Sequence, residues 1–129
     1  MFFTPRIRLK PLAQLCHRLA IATNAGLEDR KIWRDEAARG SRAQQQAAEV
    51  VLDEIAAGSS LAEAVGKTGE FYPPLFRSMV SVGENSGQLG LTYKRVAQHY
   101  DKTLAARRAF MGRLAWPFMP FVSPPSISC

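Results

Sequence analysis

At 129 residues the chain can hold one domain around one core, and it is too short for two ordinary domains. With 22% charged and 47% hydrophobic residues it is not bulk disorder, and two cysteines, Cys16 and Cys129, make no disulfide framework and suit a reducing compartment. The net charge of +6 is concentrated at the ends: four basic residues and no acid in 1–27, nine basic and ten acidic in 28–100, four basic and one acidic in 101–129. A nucleic-acid reader would carry its basic stripe across the folded body. Two basic flanks suit a domain held against an anionic membrane face, or more plainly two solvated ends.

Met1 to Pro5 is apolar but too short for a signal segment, so residues 1–9 are expected to be a flexible basic N-terminus. Pro11 can open a first helix with Leu12, Leu15, Cys16 and Leu19 on one face, ended by Asn24 and Gly26. Cys16 falls on the apolar face as a core residue and His17 on its boundary. No second Cys/His pair follows at ligand spacing, so no metal is expected. Leu27 to Ala38 forms a second helix with Glu28 and Asp29 in its first turn and Trp33 as its anchor. A third runs from Arg42 to Ala57 with Ala48, Val51, Leu52 and Ile55 on one face. Ser60-Leu61-Ala62-Glu63 is a capping box that opens a short fourth helix to about Gly66. Gly66-Lys67-Thr68 resembles the end of a phosphate loop, but the earlier glycine is missing and no strand precedes it, so no nucleotide cofactor is expected.

Proline at 73 and 74 opens a fifth helix, with Leu75, Met79 and Val82 as its apolar face. Gly83, Gly87 and Gly90, with Asn85 and Ser86, then predict a stop at Gly83 and a turn. A sixth helix starts at about Ser86 and carries Leu89, Tyr93, Val96 and Tyr100 toward Ala109. Glu84 at this corner has two roles open to it: favouring the N-terminal dipole of the following helix, or facing a partner protein. His99 beside Asp101 suggests a surface polar pair, and no acid–base or nucleophile constellation points to catalysis. Beyond the basic residues Lys102, Arg107, Arg108 and Arg113, the run from Phe110 to Val122 looks like a membrane entry. It is too short and too interrupted by proline to span, so 111–129 is expected to be a truncated membrane-entry segment and a disordered tail.

Val82-Gly83-Glu84-Asn85-Ser86-Gly87-Gln88-Leu89 resembles the "GE-x-SG-x-L" signature of the type II secretion F domain, with Gly83, Glu84, Ser86, Gly87 and Leu89 matching. Leu19-Ala20 with Gly26, Gly58 with Ser60-Leu61 and Ala64, and Phe71 with Pro73 resemble further elements of that family in the same order. The resemblance covers about Leu12 to Pro117. It implies an all-α, six-helix antiparallel bundle without strands over residues 10–110. It also implies a domain on the cytoplasmic face of the inner membrane, in a platform protein of a type II secretion or type IV pilus system. Such a domain would be a non-enzymatic scaffold whose partners are the secretion ATPase, other platform subunits, a second copy of itself and the anionic membrane surface. Family members carry the domain twice, each copy followed by membrane helices, so a single copy is expected to be a truncated fragment. The alternative from another class is a basic helical nucleic-acid-binding module.

Overall fold

The computed structural model describes residues 6–115, with side chains to residue 112. They form six helices and, among the described residues, no strand: α1 (Leu9–Asn24), α2 (Asp29–Glu36), α3 (Arg42–Ala56), α4 (Leu61–Gly66), α5 (Pro74–Ser86) and α6 (Leu89–Ala115). Residues 1–5, the chain from residue 116 on and the side chains from Arg113 lie outside the described residues, and with them most of the expected membrane entry and tail.

The first and last helices form the spine. Asn24 Nδ2 reaches Gly90 O at 3.4 Å, and His17 Nε2 meets Asp101 Oδ2 at 2.6 Å. Arg8 and Arg107 line one groove. As numbers fall along α1 they rise along α6, so the two helices run antiparallel. Two residues, Gly87 and Gln88, join α5 to α6, and that short link makes them antiparallel neighbours. The remaining elements pack in chain order, α2 on α3, α3 on α4 and α4 on α5, which closes the bundle.

The core follows the helical spacing. Leu12, Leu15, Cys16 and Leu19 of α1 are buried, as are Tyr93, Val96 and Tyr100 of α6 and Ala48 and Val51 of α3. Trp33 is fully buried and heads a row of aromatic rings: Trp33 to Tyr72 at 6.2 Å, Tyr72 to Phe76 at 5.1 Å and Phe76 to Tyr93 at 6.4 Å between centroids. Such edge and offset contacts add about 0.5–1.5 kcal/mol each beyond area burial. One ion pair enters this interior. Arg18 donates from Nε and Nη2 to the two oxygens of Glu36, both at 2.9 Å, and Glu36 is buried. This two-pronged bond ties α1 to α2.

Several helix ends differ from the sequence expectation, each for a local reason. The second helix begins at Asp29 because the Leu27 N–H closes back on Ala22 O and the Gly26 N–H on Thr23 O, which makes Leu27 part of the end of α1. At the other end, α6 runs past Ala109 to Ala115. Ser41 opens α3 with a second capping box: its hydroxyl accepts from Gln44 N at 3.2 Å while Gln44 Oε1 accepts from Ser41 N at 3.1 Å. Residues 6–8, expected as part of a flexible extension, lie against the loop before α5, with Ile7 N donating to Phe71 O at 2.9 Å and Arg6 paired with Glu70 at 2.7 Å.

The face of α5 is rotated by one residue. Phe76, Val80 and Gly83 are buried, while Leu75 and Val82 are 40% and 54% exposed. The expected stripe Leu75, Met79, Val82 counted aliphatic residues and took Gly83 for a breaker. The large Phe76 ring and the small Gly83 together define the face that α6 can approach.

Candidate functional site

The corner of α4, α5 and α6 is built on one carboxylate. Helix α4 has only six residues, so its unpaired N–H groups are a large part of its free energy. Ser60 Oγ accepts from Glu63 N at 3.1 Å, and Glu63 Oε1 accepts from Ser60 N at 2.9 Å. The two amides left between them are taken from 22 and 23 residues further on: Leu61 N donates to Glu84 Oε2 at 2.7 Å and Ala62 N to Glu84 Oε1 at 2.9 Å. All four N-terminal donors of α4 are thereby satisfied. One of the two roles left open by the sequence put Glu84 at the N-terminus of the helix that follows it. It instead sits on the N-terminus of α4, and both its oxygens are engaged within the chain.

Gly83 and Gly87 do different work. Helix α5 runs through Gly83 and ends at Ser86, so Gly83 is not the stop that was expected. A methyl group on Gly83 would lie 2.8 Å from Thr92 Oγ1 and 3.1 Å from Leu89 Cα, so at Gly83 α6 comes too close to α5 for a side chain. Gly87 is the stop. Its φ of 70° is left-handed, and it lets Gln88 N close on Gly83 O at 2.9 Å and Gly87 N on Glu84 O at 3.3 Å. Ser86 does not cap α6; its hydroxyl returns to Gly83 O at 3.3 Å. Leu89, partly buried, packs against the core as α6 begins.

The electrostatics around the corner are those of a crowded interior. Burial raises the Asp29 carboxyl above its ordinary value, and the Glu84 and Glu28 charges add to that. Burial likewise pushes the Tyr93 phenol well up, with Asp29 next in importance. The Tyr93 hydroxyl and Trp33 Nε1 are buried without a hydrogen-bond partner. Among the described residues, no three His, Cys, Asp or Glu side chains come together as metal ligands.

Cys16, His17 and Asp101 do not form a nucleophile site. Cys16 points into the core, where burial pushes its thiol up to about 12, while His17 lies on the exposed side of α1. His99, two residues from Asp101 on one helix, points elsewhere, because residues two apart do not share a face. Its ring packs edge-on against Tyr100 at 5.3 Å, and the partner of Asp101 is His17.

The second region is the pole where α1 begins and α6 leaves the bundle. Lys102, Arg107 and Arg108 are exposed there, and Arg8 and Arg107 flank a groove of about 510 Å³ floored by Ile7, Leu12 and Pro73. Beyond it α6 carries Phe110 and Met111, 60% and 62% exposed. Among the described residues no helix is long and apolar enough to cross a membrane.

Comparison with known proteins agrees with the corner's motif. The family described as type II secretion system (T2SS), protein F matches residues 15–122. A type II secretion system protein F from Aeromonas hydrophila is 28% identical over 109 residues, covering 84% of this chain and 28% of that protein. One from Pseudomonas aeruginosa is 39% identical over 62 residues, covering 48% of this chain and 15% of its own length. The chain therefore spans about a quarter or less of the relatives it matches. With the match spanning the bundle from α1 through α6, the chain belongs to the type II secretion system protein F family.

Proposed function

We infer that the bundle is a non-enzymatic scaffold domain on the cytoplasmic face of the inner membrane, within a type II secretion or pilus platform. In this reading it holds the secretion ATPase and neighbouring platform subunits in register. The observation that carries it is the division of α5 into two faces. Phe76, Val80 and Gly83 are committed to the core and Glu84 is bound to α4, while Leu75 and Val82 with the partly buried Met79 leave an apolar stripe outside. A stripe of that kind on a helix anchored at its C-terminal end suits a helix of another subunit. The family's described name supplies the system, and the buried Cys16 and the paired His17 supply no free nucleophile or base to argue for chemistry.

The test is Val82→Glu in a secretion-competent platform protein carrying this domain. An exposed site tolerates the change within about 0.5 kcal/mol, so the domain's melt should match wild type. Secretion of substrate should fall sharply. Normal secretion with a normal melt would remove the α5 stripe from the platform contacts.

A further inference from the structure

The groove between the start of α1 and the far part of α6 has a lining of mixed character. Arg8 and Arg107 supply two permanent positive charges, Ile7, Leu12 and Pro73 an apolar floor, and no carboxylate lines it. The acids near these elements are occupied elsewhere, Asp101 with His17 at 2.6 Å and Glu70 with Arg6 at 2.7 Å. Helix α1 adds no acid of its own in its first turn and has no side-chain cap. We propose that this groove seats the headgroup of an anionic phospholipid at a membrane surface. Arg8 and Arg107 take the phosphate, and the apolar floor takes the glycerol backbone and the first methylenes of an acyl chain.

Two observations choose a lipid over a free anion. A phosphate alone has no use for the apolar floor, and it would leave the half-buried Ile7 and Pro73 facing water. The same pole also carries the exposed Phe110 and Met111 next to Arg107 and Arg108, the layering of apolar and basic side chains that a membrane interface accepts. The proposal rests on the platform reading only for the membrane's being nearby; the groove itself is a property of this chain.

The experiment floats the full chain with vesicles of phosphatidylcholine alone and of phosphatidylcholine with a minority of phosphatidylglycerol. Binding should require the anionic lipid and weaken as salt rises. Arg8→Gln and Arg107→Gln should each weaken it about fivefold, the factor that about 1 kcal/mol per basic residue at a charged surface corresponds to. Arg95→Gln removes the same charge about 18 Å back along α6 and should cost less than twofold. Melts of each variant accompany the flotation, and Arg107, exposed on α6, serves alone if Arg8→Gln unfolds. Equal losses for Arg95→Gln would overturn the groove in favour of diffuse attraction. Soluble glycerol phosphate that binds the groove while vesicles do not would assign it to a free anion. Salt-sensitive binding of duplex DNA, lost in the same two variants and without vesicle binding, would overturn the lipid assignment as well. If flotation fails while Val82→Glu abolishes secretion, the groove proposal falls and the platform reading stands. The reverse pair of results separates them the other way.

Discussion

The corner and the pole of this bundle treat charge in opposite ways. At the corner, Glu84 gives both oxygens to the amides of α4, Ser60 and Glu63 satisfy each other's backbone, and Gly83 lets α6 approach with no space for a methyl group. At the pole, Arg8 and Arg107 stand in solvent around a groove that no carboxylate lines, with the exposed Arg108 next to Arg107 on α6. A charge whose hydrogen bonds are met inside the chain acts on the fold, whereas a charge left open can act on something else. In this chain Gly83, Glu84 and Gly87 of the corner therefore act on the fold.

The sharpest way to break that contrast is Glu84→Gln. It keeps the shape but replaces one acceptor oxygen with an amide that faces a donating N–H, and it removes the charge from the end of α4. The bundle should lose about 2–3 kcal/mol, read from denaturant or thermal unfolding of the whole chain. A loss of only a few tenths would return Glu84 to the role of an ordinary surface charge. Gly83→Ala should cost about 2 kcal/mol by forcing Thr92 and the start of α6 away, since overpacking a close contact costs about 1–3 kcal/mol. A neutral result would mean that α6 can slide.

The smallest effect is at Asp29. Its folded carboxyl is raised, by burial first and then by the Glu84 and Glu28 charges, so the folded state holds the proton more tightly than the unfolded chain. Its contribution to stability is present at acid pH and is lost as pH rises from the unfolded carboxylate value through the raised folded one. Asp29→Asn should remove that loss, giving at neutral pH a gain smaller than either penalty above and vanishing at acid pH. Melts of both proteins across that range check the sign, and a gain that grows toward acid pH would refute it.

The sequence was legible where spacing carries the information. The faces of α1 and α6, the Trp33 anchor and the Ser60 capping box depend on residues within a turn or two of each other. It was illegible where partners are distant. Nothing within reach of Glu84 in sequence marks the Leu61 and Ala62 amides as the donors to its carboxylate, and nothing near Arg18 points to Glu36 eighteen residues away. Gly83 misled because a glycine needed for closeness and a glycine needed for a turn look the same when written down. One clue was available: Gly87 alone suffices to end α5, which leaves Gly83 without a turn to make. The pole could be half seen, since both ends of the chain are basic, but only the antiparallel pairing of α1 with α6 brings those ends together.

That pairing also has a mechanical side. Because α1 starts and α6 departs at the same pole, tension applied through the two ends would not shear the helices along their length. It would peel them apart in sequence, first at the Arg8–Arg107 groove, then at His17–Asp101, and last at Asn24–Gly90. Contacts loaded one after another yield at far lower force than contacts loaded together. A bundle strung this way would act as a soft coupling, one that stretching by single-molecule tweezers between the start of α1 and the far part of α6 should show opening gradually from the pole inward.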